Sequence, residues 1–169
     1  MAGTPILTTI RQQMAILIGG MTTTGGYNYN WQSVNVLDYS LQPTPGTQPF
    51  PRSEIYCFEE NQDSKGGRDT QAYSNVAKFT IRVACELPQQ TTNPLFDIDP
   101  YLDLAVDDLK MLFGVNNSVN NSCDEIIYTG FKKPDVSKSG DQMVPKTMDV
   151  NFDVSYSQDR HDPTQISSS

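Results

Sequence analysis

Alternation of apolar and polar residues occurs in two separate stretches of this chain and constrains the fold more than any other feature. From Phe79 to Leu87 the odd positions Phe79, Ile81, Val83, Cys85 and Leu87 are apolar, while Lys78, Thr80, Arg82 and Glu86 take even ones. From Met148 to Tyr156 the even positions Met148, Val150, Phe152, Val154 and Tyr156 are apolar, with Asp149, Asn151, Asp153 and Ser155 between them. Side chains alternate across a strand, so each stretch offers one face to a core and one to water. The pattern predicts a half-buried sheet.

Two helices accompany it. Thr4-Pro5 is a start signal, threonine as cap and proline at the first helical position. Ile6, Ile10, Met14 and Leu17 then share a face, and Gly19-Gly20 ends the run. The second helix is capped by Asp99, continues through Pro100, and carries Leu102, Val106, Leu109 and Phe113 on one face, with Gly114 past its end. Asp103, Asp107 and Asp108 lie off that stripe, which predicts a solvated acidic face.

Weaker strand signals lie at Val34 and Val36, at Arg52–Glu60 and at Glu125–Phe131. In the second of these, Ile55 and Cys57 oppose Tyr56 and Phe58, so both faces are expected to be partly covered. Between Leu41 and Pro51 the residues Pro43, Pro45, Pro49 and Pro51 predict an extended excursion. Glu60 to Ser74 lacks apolar periodicity and is expected to be a long exposed connection; Met21–Asn30 and Asn116–Asn121 read as polar loops.

The order helix, three strands, helix, two strands predicts an α+β fold: a mainly antiparallel sheet of four to five strands with two helices packed on one face. Every strand join outside the helical crossover is expected to be antiparallel. Residues 1–158 form a single domain of a size that buries a core without staples, and 159–169 a polar C-terminal tail.

Composition then removes function classes. Twelve basic against 20 acidic residues, a formal charge of −8, argue against general affinity for phosphate backbones. The only histidine, His161, lies in the polar tail, away from any position where it could serve a Ser–His–Asp or Cys–His arrangement. Cys57, Cys85 and Cys123 have no CxxC spacing and are read as reduced and mostly buried. No cofactor or metal is expected. The apolar run Met14–Ile18 is too short to span a bilayer, so the chain is expected to be soluble and made in the cytoplasm.

Order and local texture together resemble the tail terminator proteins of tailed bacteriophages, which form rings in the head–tail neck. The resemblance rests on the helix Ile6–Ile18 with its glycine turn and on a strand ending near Glu59 and Glu60. It continues through Phe79-Thr80-Ile81-Arg82-Val83, the helix holding Tyr101-Leu102-Asp103-Leu104 and Asp107-Asp108-Leu109, and the closing strand Asp149-Val150-Asn151-Phe152-Asp153-Val154. It spans Pro5 to Ser157.

The resemblance implies a virion structural protein, not an enzyme, that assembles as a homo-hexamer on the last ring of tail tube protein. There it stops tube polymerisation and meets the head–tail connector, while DNA passes through the ring without specific binding. It supplies no catalytic residues. Candidate subunit or neck contacts are Pro43, Pro45 and Phe50 in the proline-rich excursion and Asp63, Lys65, Arg68 and Asp69 in the long connection. Other readings stay open: another neck or tail-tube component, a small metal-dependent hydrolase using Asp99, Asp103 and Asp107, or a monomeric binding module engaging a partner through the proline-rich loop.

Overall fold

The computed structural model describes residues 4–31, 33–36, 51–62, 72–85, 99–133 and 147–159. In chain order these hold α1 (Ile6–Gly19), a short 3-10 turn (Thr23–Gly25), β1 (Ser33–Val36), β2 (Arg52–Gln62), β3 (Ala72–Ala84), α2 (Asp99–Val115), β4 (Glu125–Lys132) and β5 (Thr147–Asp159). The strands form one sheet in the order β1-β2-β3-β5-β4. This is the expected α+β arrangement.

The two alternating stretches sit side by side at the centre of the sheet. Phe79 faces Phe152, Ile81 faces Val150 and Val83 faces Met148 across the antiparallel β3–β5 pair, so both apolar rows point to one side. Phe113 of α2 closes over them, its ring edge-on to Phe152 at 5.0 Å between centroids, and Tyr128 of β4 meets Phe152 from the other flank at 5.8 Å. α1 contacts β1 and β2, and α2 contacts β3, β4 and β5. The buried side chains of both helices join the strands in one core.

Several details depart from the sequence expectation. β1 runs parallel to β2, not antiparallel. A parallel neighbour needs a connection long enough to bring the chain back to the same end of the sheet, and residues 37–51 are long enough. At α1, Pro5 itself occupies the cap position without any side-chain cap, and its carbonyl accepts the N–H of Thr8 and of Thr9 at 3.0 and 3.1 Å. The fully buried row is Ile6, Ile10, Met14 and Ile18, with Leu17 only half-buried. A row stepping by four runs oblique to the helix axis, so α1 meets the core along a slanted ridge.

At the other end of the chain, α2 continues through Gly114 to Val115. β2 and β3 both extend into the stretch expected to be a connection, pairing as far as Gln62 with Asn75. Backbone pairing continues there without apolar alternation. β2 has both faces partly covered as far as Cys57, with Ile55 buried and Tyr56 half-buried on the opposite side, while Phe58, at a break in the β2–β3 register, is exposed. A second register break falls between Tyr128 and Gly130, where Gly130 has φ +138°, a conformation that a side chain would strain.

The Asn-rich stretch after α2 is not a featureless loop. Val119, Asn120 and Asn121 follow one another in the left-handed region at φ +48°, +56° and +60°. Asparagine tolerates this conformation, whereas valine rarely adopts it. Val119 is buried in the core, and the carbonyls of Asn117 and Ser155 accept the N–H groups of Ile126 and Asp124 at 2.8 and 2.9 Å. This turn sets where β4 begins.

Candidate functional site

The best-organised polar feature lies where the segment after α1 folds onto α2. Trp31 N–H donates to the Met21 carbonyl at 3.0 Å and so draws the two ends of a loop together. Inside it, Thr22 Oγ1 accepts from Gly25 N–H at 3.2 Å, and Asn30 Oδ1 accepts from Thr23 N–H at 2.9 Å. The loop then docks on Asp108. Oδ1 of Asp108 accepts the backbone N–H of Asn28 at 2.7 Å and its side-chain amide at 2.8 Å; Oδ2 accepts Tyr29 N–H at 3.1 Å and the indole N–H of Trp31 at 3.0 Å.

Asp108 is fully buried, correcting its expected place on a solvated acidic face; Asp103 and Asp107 do lie exposed. Asp108 stands one helical turn from Leu104 and from Leu112, at the margin of the apolar stripe, and the loop folds over that margin. A buried carboxylate is tolerated where donors satisfy it, and here four do. Nearby, Tyr29 Oη donates to the Tyr101 carbonyl at 3.1 Å. Burial first, then the neighbouring Cys85, Asp108 and Tyr101, push its phenol up to about 12.

Beside this clamp the helix layer leaves aliphatic side chains in water. Leu104, Met111 and Val115 recur on the outer side of α2 with 42, 43 and 78 % of their surface exposed, and Ile16 of α1 is 62 % exposed. Gln13, one turn before Ile16, accepts a hydrogen bond from Asn120 just beyond α2 at 3.0 Å.

The opposite face of the sheet is polar. Arg82 forks onto Asp149, Nε to Oδ1 at 2.7 Å and Nη2 to Oδ2 at 2.9 Å. Lys78 pairs with Glu59 at 2.8 Å, and Thr80 donates to Asn151 at 2.8 Å. These contacts follow the cross-strand register of β2, β3 and β5. The Asp149 hydrogen bond is the main reason the Arg82 guanidinium is pushed above its ordinary range, and Lys78 holds the exposed Glu59 carboxyl below its own.

The three cysteines are free thiols, and burial pushes Cys85 and Cys123 up to about 12 and raises Cys57 as well. Among the described residues no three His, Cys, Asp or Glu side chains converge as a metal site would require. Asp107 is instead engaged with Lys110 at 3.1 Å.

The sequence-predicted contacts Pro43, Pro45, Phe50, Asp63, Lys65, Arg68 and Asp69 lie outside the described residues. The Tyr27–Trp31 segment was not anticipated as a docking element. Its signal was the only tryptophan of the chain, closing a stretch otherwise polar. No family model matches the chain, and no curated protein matches it.

Proposed function

We propose that this chain is a structural protein of the bacteriophage head–tail neck, a tail terminator whose identical copies close into a ring on the tail tube. The observation that carries the reading is the apolar surface one copy leaves in water: Ile16, Leu104, Met111 and Val115 on the helix layer, and Phe58, Ile127 and Phe131 on the strands. Apolar side chains exposed on several sides suit a subunit that is covered when neighbours assemble around it. The order of elements, helix, three strands, helix, two strands, also supports it, being the order on which the resemblance rests.

A ring of six copies at −8 each carries a formal charge of −48. Acidic groups turned toward its bore would repel DNA and let it pass without sticking. The test is to add the purified chain to tails that lack their terminator and to image the tube ends. A closed annulus is expected, six times the 18.8 kDa mass of the chain, together with arrested tube growth. Open-ended polymers of the chain itself would favour a tube component instead, and a chain that stays monomeric at high concentration and never joins tails would overturn the reading.

A further inference from the structure

We draw no further inference here: the strongest candidate, the outer edge of β4 with Ile127 and Phe131 half in water and the exposed Glu125 and Lys132 at its two ends, carries nothing, because nothing in the structure shows what pairs with it and the register break between Tyr128 and Gly130 interrupts the row of backbone groups that an added strand would need.

Discussion

Asp108 and Trp31 are joined inside the protein by a 3.0 Å hydrogen bond from the indole N–H to Oδ2, across 77 residues of sequence. That contact ties the segment leaving α1 to the middle of α2, and three more donors from Asn28 and Tyr29 share the same carboxylate.

Removing that acceptor strands the buried indole N–H and leaves two part-buried backbone N–H groups without their carboxylate. Asp108→Ala is expected to cost about 3 kcal/mol or more, and Asp108→Asn about half as much, because an amide keeps one accepting oxygen. Trp31 is the only tryptophan and is fully buried, so its fluorescence during urea denaturation reports the change directly. A midpoint unchanged in Asp108→Ala would show that the clamp contributes nothing to stability.

Ser53 presents the opposite case. Its hydroxyl is buried on β2 with no hydrogen-bond partner among the described residues, and an unsatisfied buried polar group costs free energy. Ser53→Ala should be neutral or stabilising by up to about 1 kcal/mol, in contrast to most core truncations. A loss beyond about 1 kcal/mol in denaturant titration would mean that the hydroxyl is satisfied in solution.

On the polar face, the forked Arg82–Asp149 pair should show a coupling of roughly 0.5–1.5 kcal/mol in a double-mutant cycle with alanine, more than an ordinary surface pair because it is bidentate and Asp149 is mostly buried. Arg82→Lys should lose most of that coupling, since an ammonium cannot make the planar fork. Full retention by lysine would reduce the pair to a point-charge contact.

Cys85, Cys123 and Tyr29 are all pushed up to about 12, from ordinary values of 9.0 for the thiols and 10.0 for the phenol. Above pH 9 the unfolded chain releases these protons while the folded one keeps them, so stability falls as pH rises. The expected curve shows no loss from these groups below about pH 8 and declines between about 9 and 12. Cys85→Ala with Cys123→Ala should flatten the lower part of that decline, leaving the share due to Cys57 and to the raised phenols Tyr29, Tyr56 and Tyr156. Urea midpoints at neutral and alkaline pH measure both slopes.

Much of this architecture can be read from local pattern because it is local pattern that builds it. The rows Phe79, Ile81, Val83 and Met148, Val150, Phe152 alternate in sequence and meet in register, and the stripe Leu102, Val106, Leu109 and Phe113 becomes the buried face of α2. What pattern could not supply is set by distant partners. Asp108 resembles its exposed neighbour Asp107 until a loop from 80 residues earlier covers it. The parallel sense of β1 shows only in its pairing with β2, and the register breaks at Phe58 and between Tyr128 and Gly130 follow from strand pairing, not from periodicity. Val119 shows the same limit, since nothing in its identity announces a left-handed backbone.

The short parallel strand at the sheet margin has a kinetic consequence. The β2–β3 ladder joins neighbours in sequence, and β5 and β4 extend it without help from β1, whose seat must await closure of the long link that follows it. The first strand of the sheet in sequence is then the last to be sealed, and its peptide hydrogens should be the earliest among the strands to trade with deuterium.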